Sequence, residues 1–285
     1  MKIKFTADSV IDLTPSMLTE NDITLIPLHI TLGEENFIDG VDVTPDDIYA
    51  FVAKTNILPK TAAVSVEKFK SEFSKYVDEG YTVIHFDISS EMSASNSNAK
   101  IAAAEVGNVY VIDSRNLSAG VGVLVLYACD LRAKGLGAKT IYEKVLKRIP
   151  YVQASFIIDR LDYLHKGGRC SSVALLGANL MGIKPTIEVK NGNMGVGKKY
   201  VGTLKKVIEK FVINTLKDYP NYDKKRIFIG HTVIDEAILE KTKNLIQQHA
   251  DFEEIHISDA CCTITSHCGP GTLGLFYIND GGVEN

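Results

Sequence analysis

Four short polar segments contain the side chains of this sequence that could bind or transform a ligand. They span residues 61–65, 89–93, 166–169 and 266–271, and they combine hydroxyl groups and glycines with an arginine and a histidine. Hydroxyls and basic side chains donate hydrogen bonds to anions, so together these groups suit one anionic head group. Each segment follows an apolar, strand-like run, and a sheet that gathers its strand ends would bring them into one site.

Ser93 ends the second segment, which follows a predicted strand at residues 82–88 and precedes a helix of small residues near 98–104. Backbone N–H groups at this position of a parallel sheet bind carboxylates or phosphates. The alternative is that the serines only cap the helix, which is their common role. The sequence leaves both interpretations open.

Ser118 repeats this arrangement after the next predicted strand, residues 109–113. It opens an apolar helix together with Gly120, and capping is again the simpler interpretation. The small residues of this helix would also let a long apolar ligand lie close to the backbone.

His267 lies beside a Gly-Pro-Gly turn at residues 269–271, after a strand-like run at 262–265 and before a predicted strand at 273–278. A single histidine is more often structural than functional, but this one shares its segment with a serine and glycines. Its imidazole can donate a hydrogen bond to an anion or act as a base.

Arg169 follows two glycines that come shortly after a predicted helix at residues 160–164. Gly168 fits the C-cap of that helix, and Lys166 and Arg169 would then face the helix carbonyls. The same two basic side chains can face a ligand instead, and both roles are compatible.

The first half of the chain alternates strands with helices. Such alternation gives a mainly parallel sheet with helices on both faces, so we expect a Rossmann-like α/β fold. The predicted strands are residues 2–6, 24–32, 82–88 and 109–113.

Pro150 separates this half from a new strand at residues 152–158. Because proline ends helices, we expect a domain boundary near residue 150, with an N-terminal α/β domain at 1–150 and a C-terminal mixed α/β domain at 151–285. Asn191-Gly192 predicts a tight hairpin turn in the second domain. Its other predicted elements include helices at 171–181, 203–217 and 234–248, strands at 183–190, 226–231 and 252–258, and a loose tail at 280–285.

Composition restricts the classes of function. The 285 residues include 31 basic and 35 acidic side chains, and the net charge of −4 disfavours binding to nucleic acid. The apolar stretch at 119–131 is too short to span a bilayer, and residues 1–8 lack the apolar core of a signal peptide. Five cysteines without metal-ligand spacing indicate a reducing compartment. We expect a cytoplasmic protein with no metal, no cofactor and no stable membrane insertion.

Taken in order, the motifs of this chain resemble those of the DegV family over nearly its whole length. One such motif is weak, but six in the same order are specific. They are Thr-Ala-Asp-Ser-Val-Ile-Asp-Leu at 6–13, Ser-Ser-Glu-Met-Ser at 89–93, Val-Ile-Asp-Ser at 111–114 with Ser118 and Gly120, Leu-His-Lys-Gly-Gly-Arg at 164–169, Lys184-Pro185, and His-Cys-Gly-Pro-Gly at 267–271.

The resemblance implies a two-domain α/β protein that holds one long-chain fatty acid between its domains, with the tail buried. By this likeness Thr61 and Ser93 would hydrogen-bond the carboxylate and His267 would complete the site. Arg169 would orient the network or balance its charge. The remaining implied site residues are Ser118 and Gly168.

Some members of the family are the fatty-acid-binding subunits of bacterial fatty acid kinase, so a kinase catalytic subunit is the expected partner. This chain would then not be an enzyme itself, since it contains no P-loop or kinase signature for ATP. Many relatives carry an arginine-rich segment thought to face the kinase, whereas residues 198–206 contain lysines and no arginine. Lysine lacks the bidentate fork of arginine.

Two other functions remain open from the sequence. A serine hydrolase or acyltransferase would use Ser93 as nucleophile and His267 as base, oriented by Asp8, Asp113 or Asp259, although Ser93 lacks the Gly-x-Ser-x-Gly elbow. A Rossmann-type nucleotide binder is suggested by the sheet alone, and its glycine fingerprint is absent after the first strand.

Overall fold

The computed structural model describes residues 2–174 and 182–282, and within these ranges the strands form three sheets. The strands are β1 (Lys2–Asp8), β2 (Ile23–Ile26), β3 (His29–Leu32), β4 (Glu35–Ile38), β5 (Lys60–Ala62), β6 (Tyr81–Asp87), β7 (Val109–Asp113), β8 (Val152–Ile157), β9 (Ile183–Lys190), β10 (Asn193–Val201), β11 (Arg226–His231), β12 (Glu254–Asp259) and β13 (Leu273–Ile278). The helices are α1 (Pro15–Glu20), α2 (Pro45–Thr55), α3 (Val66–Asp78), α4 (Ser95–Val106), α5 (Ala119–Ala133), α6 (Ala138–Arg148), α7 (Asp162–Gly167), α8 (Ser171–Ala174), α9 (Leu204–Asp218), α10 (Glu236–His249) and α11 (Cys262–Cys268).

The first sheet is parallel and has the strand order β2-β1-β6-β7. Its central strand β1 is buried along nearly its whole length, with Phe5 paired to Ile23 on one side and Ile84 on the other. Helix α3 packs against α4 and β6, whereas α5 packs against α6 and β6. The expected Rossmann-like α/β architecture of the first half is confirmed.

A small antiparallel sheet, β4-β3-β5, was not predicted. The single strand expected at residues 24–32 is wrong, because β2 ends at Ile26 and β3 begins at His29. Pro27 lies in the gap, and a proline has no N–H for a sheet ladder. The chain therefore leaves the parallel sheet after β2 and enters the small one, where Thr61 of β5 pairs with Ile30 of β3.

The third sheet has the order β10-β9-β8-β13-β11-β12 and is antiparallel except for the β11–β12 pair. The predicted hairpin joins β9 to β10, and its turn residues Asn191 and Gly192 have φ of 51° and 82°. Two consecutive positive φ angles are typical of the type I′ turn that Asn-Gly favours. The mixed C-terminal sheet is thus confirmed.

Helix α11 replaces the strand-like run expected at residues 262–265, so that prediction was wrong. The helix expected at 160–164 lies instead at Asp162–Gly167 and ends on Gly168, whose φ is 70°. Helix α8 begins the helix expected at 171–181, and residues 175–181 lie outside the described residues. The same holds for residues 283–285 of the expected tail.

The two halves of the chain contact one another through α5 and α11. Helix α5 is apolar on all sides and lies between β6 of the parallel sheet and β8, β11 and β13 of the mixed sheet. Helix α11 packs against α2, β3 and β5. All strands of the mixed sheet follow residue 151, and the domain boundary near residue 150 stays a prediction. Among the described helices none has the length and apolar character needed to cross a bilayer.

Candidate functional site

A cavity of about 180 Å³ lies where α7 and α11 meet β5 and the loop after β6. Four of the side chains proposed from the sequence line it, namely Thr61, Ser93, Arg169 and His267. Most of the remaining wall is apolar. The cavity therefore combines a few polar groups with an apolar lining, as ligand sites generally do. The apolar lining includes Leu28, Ile88, Met92, Leu117, Ile264 and Met194.

Thr61 and His267 form the polar centre of this cavity. The hydroxyl Oγ1 of Thr61 lies 2.9 Å from Nε2 of His267. The other ring nitrogen, Nδ1, is buried and has no hydrogen-bond partner among the described residues. A histidine with one nitrogen engaged and one buried without a partner retains hydrogen-bonding capacity for a ligand or for a change of tautomer.

The pKa of His267 is lowered to about 4, first by burial and then by the positive charge of Arg169. The imidazole is therefore neutral at pH 7, with one nitrogen protonated and the other free to accept. The positive charge that acts on this imidazole belongs to the guanidinium of Arg169.

Arg169 and Gly168 lie on the exposed segment that follows α7. The guanidinium of Arg169 donates to the carbonyl oxygen of Gly167 at 2.7 Å and thereby stays beside the cavity. Gly168 is the left-handed C-cap of α7, as expected, and it does not line the cavity. Gly167 faces the imidazole so closely that a Cβ atom there would lie 2.4 Å from Nδ1 of His267.

Ser93 is half-buried at the cavity wall and lies two residues before α4. Its Oγ accepts a hydrogen bond from the backbone N–H of Ser95 at 3.2 Å. Ser93 is not the N-cap of α4, because that position is Ala94, but it accepts from the first N–H of the helix while it lines the cavity. The hydroxyl hydrogen of Ser93 remains able to donate to a ligand oxygen.

Ser118 lies away from the polar centre. Its hydroxyl donates to the carboxylate of Asp12, and its side chain lines a second, smaller cavity of about 20 Å³. This second cavity shares the walls Leu117, Ile264 and Cys268 with the first. Ser118 was expected to surround the head group, but of these two cavities it lines only the smaller one, and its role in binding stays a prediction.

Helix α11 contributes both apolar and polar side chains to the cavity walls. Ile264 and Cys268 are one turn apart on the helix and line both cavities, while the neighbouring His267 contacts Thr61. Burial, and next the charge of Asp12, raises the pKa of the Cys268 thiol to about 12. The neutral thiol behaves as a small apolar group.

Two buried aspartates that the sequence did not single out hold the start of α11. Asp39 accepts hydrogen bonds from the backbone N–H groups of Cys262 at 2.9 Å and Thr263 at 3.1 Å, and Asp12 accepts one from Cys261 at 2.9 Å. These contacts span 223, 224 and 249 residues of sequence, so no local pattern could have revealed them. The first N–H groups of a helix have no partner within the helix, and these aspartate oxygens supply one for the helix that carries His267.

The three aspartates considered as orienting groups for a catalytic histidine lie elsewhere. Asp8 accepts from backbone N–H groups, Asp113 accepts from Ser90 at 2.5 Å, and the side chain of Asp259 is exposed near His231. No group of three or more metal-ligating side chains occurs within residues 2–174 and 182–282.

The sequence model described as an uncharacterised protein of the DegV family matches residues 2–280. A DegV domain-containing protein of Clostridium acetobutylicum is 34% identical over 97% of this chain and 98% of its own length. A fatty acid-binding protein of Thermotoga maritima is 30% identical over 96% of this chain and 97% of its own. The solved structure of a stearic acid-binding protein from Eubacterium ventriosum superposes with a TM-score of 0.85, at 26% identity and 99% coverage of both chains. The ordered motifs, the parallel and mixed sheets and these matches over nearly the full length agree, and the chain belongs to the DegV family.

Proposed function

We propose that this protein binds one long-chain fatty acid, with the carboxylate held by Thr61, Ser93 and His267 and the tail buried between the two halves of the chain. The observation that carries the proposal is a cavity that joins these polar side chains to an apolar wall. Three residues of that wall, Leu117, Ile264 and Cys268, also line the second, smaller cavity. Relatives named for binding fatty acids support it.

The tail and the head group of the ligand contribute differently to the free energy of binding. Each buried CH₂ contributes about 0.8 kcal/mol, so a long acyl chain supplies most of the affinity. The head-group site then fixes orientation. At pH 7 the neutral imidazole of His267 and the hydroxyls of Thr61 and Ser93 can donate hydrogen bonds, and Arg169 offsets the negative charge.

The hydrolase alternative receives less support from the same residues. A serine nucleophile needs a base within hydrogen-bond reach and a third group that orients the base. Among the described contacts, Nε2 of His267 pairs with Thr61 and Nδ1 pairs with nothing, while the Oγ of Ser93 accepts from Ser95. A binding role uses these groups without requiring such a relay.

We further propose that a separate kinase subunit phosphorylates the bound carboxylate. Arg169 is exposed at the cavity, so a docked partner can reach the head group from that side. The lysine segment at 198–206 offers cations without the bidentate geometry of arginine, and Lys198 is already paired with Asp218. The partner surface of this chain would therefore depend on Arg169 more than on that segment.

Native mass spectrometry of the purified protein, followed by analysis of an organic extract, tests the binding proposal. We expect one free fatty acid per chain without a covalent bond. An acyl adduct on Ser93 would favour the hydrolase, and a protein that neither carries nor takes up any fatty acid would overturn the proposal. Acyl phosphate formation with an added fatty acid kinase subunit and ATP tests the partner separately.

A further inference from the structure

Phe276 lies over two glycines at the inner face of the mixed sheet. Gly230 of β11 and Gly274 of β13 are direct cross-strand neighbours. A Cβ atom at Gly230 would lie 2.8 Å from the ring of Phe276, and one at Gly274 would lie 2.7 Å from it. The ring thus fills a hollow that exists only because both positions lack side chains.

This hollow faces α5 and belongs to the smaller cavity. The ring of Phe276 also approaches Gly120 of α5, where a Cβ atom would lie 3.4 Å away. Phe276 and both sheet glycines line the cavity of about 20 Å³, and none of the three lines the cavity that contains Thr61 and His267. The ring therefore lines a cavity that is separated from Thr61 and His267 only by residues common to both cavities, Leu117, Ile264 and Cys268.

The available space is small with the ring in this position. The two cavities measure about 180 and about 20 Å³, whereas sites for ligands of this size usually enclose roughly 300–1,000 Å³. Paired glycines inside a strand weaken a sheet, and in strands they often mark a place where another group approaches the backbone closely. Here that group is a buried phenyl ring, only 3% exposed, and its ring carbons occupy volume that several methylenes could take.

We propose that Phe276 is the end stop of the acyl channel and limits the length of the fatty acid that this protein accepts. This inference rests on the proposed function, because it assigns the selectivity of the same site. Removing the ring would open the floor formed by Gly230 and Gly274 to the end of a longer chain. Each additional buried methylene then adds about fourfold in affinity.

The test is a competition among saturated fatty acids from decanoic to octadecanoic acid, present at equal concentrations and read by native mass spectrometry. Phe276→Ala should raise the ratio of octadecanoic to dodecanoic acid in the complex by at least about tenfold relative to the unaltered chain. Phe228→Ala is the matched control, because Phe228 is the buried cross-strand partner of Phe276 and lines neither cavity. It should leave the ratio unchanged.

Gly274→Ala provides an independent change in the opposite direction. Its new methyl group would push the ring of Phe276 into the channel, so longer acids should bind less well. In the double variant Gly274→Ala/Phe276→Ala this loss should disappear, since the obstructing ring is absent. If Phe276→Ala does not fold, Phe276→Leu removes part of the ring and should shift the ratio in the same direction.

The inference is overturned if the unaltered chain binds fatty acids and the ratio does not move in the Phe276 variants, or moves equally in Phe228→Ala. A chain that binds none of the acids would contradict the proposed function itself, which is a different result.

Discussion

The hydroxyl of Thr61 and Nε2 of His267 lie 2.9 Å apart, although 206 residues separate them in sequence. Thr61 belongs to the small sheet of the first half, and His267 belongs to the short helix α11 of the second. The pair exists only when α11 is docked against β5. The polar centre of the cavity therefore depends on how the two halves of the chain pack together.

Replacement of Thr61 by valine keeps the shape of the side chain and removes its hydroxyl. We expect fatty acid affinity to fall by about 1–3 kcal/mol, because His267 and the bound carboxylate each lose a partner. Displacement of a fluorescent fatty acid measures the change. Thr24→Val serves as the control, since its hydroxyl bonds to Tyr76 outside the cavity. Equal fatty acid affinities for the two variants would show that the hydroxyl of Thr61 does not contribute to binding.

Arg169→Gln should weaken binding by about 1 kcal/mol and should make it less sensitive to salt, because an exposed charge contributes modestly and is screened. A methyl ester lacks the negative charge, so its binding should respond little to this substitution. The control is Arg160→Gln, which removes another exposed arginine, paired with Asp162 and absent from the cavity lining. If the two variants bind the fatty acid with equal affinity at low and at high salt, Arg169 does not offset the charge of the bound carboxylate.

Gly167→Ala tests the close approach of α7 to the imidazole. The added methyl group would lie 2.4 Å from Nδ1 of His267, so the ring must leave its present position and its 2.9 Å contact with Thr61 must change. We expect at least about a tenfold loss of affinity, or about 1.4 kcal/mol, in a protein that remains folded. Gly195→Ala is the matched change, since its methyl group would meet open space. A crystal structure of the variant in which the imidazole of His267 has not moved would contradict this explanation.

The parallel sheet, the hairpin at Asn191-Gly192 and the mixed second sheet were predictable because their signals are local. Apolar periodicity, turn residues and chain alternation all act over a few residues. The same local logic brought Thr61, Ser93, Arg169 and His267 under consideration, and the structure places all four around one cavity. Their role in binding stays a prediction.

Helix α11 shows why the rest was not predictable. Residues 262–265 read Cys-Thr-Ile-Thr, and two threonines and an isoleucine favour a strand by propensity. Buried carboxylates of Asp12 and Asp39 satisfy the first N–H groups of the segment and stabilise a helix instead. A tertiary contact overrides the local preference, and only the folded chain contains it.

Asp12 gives a prediction about pH. Burial raises its pKa from an ordinary value of 3.8 to about 7, against the hydrogen bonds from Ser118 and Cys261 that lower it. Between about pH 4 and pH 7 the folded chain thus holds a proton that the unfolded chain has released. The resulting stabilisation is complete below pH 4 and is lost as the pH rises through 7, by roughly 4 kcal/mol in total.

Asp12→Asn removes this titration and keeps one oxygen that can accept a hydrogen bond. The variant should therefore be less stable than the unaltered chain at pH 4, and the difference in free energy of unfolding should shrink or reverse at pH 8. Urea unfolding at a series of pH values measures it, with the exposed Asp46→Asn as the surface control. Subtracting the stability curve of Asp12→Asn from that of the unaltered chain cancels the contribution of every titratable group that both proteins share. A difference that does not change with pH would then show that folding leaves the pKa of Asp12 at its ordinary value. A constant difference would also mean that Asp12 is charged in the folded chain at pH 7, so that a carboxylate and not a carboxylic acid would accept the hydrogen bond from Cys261 at the start of α11.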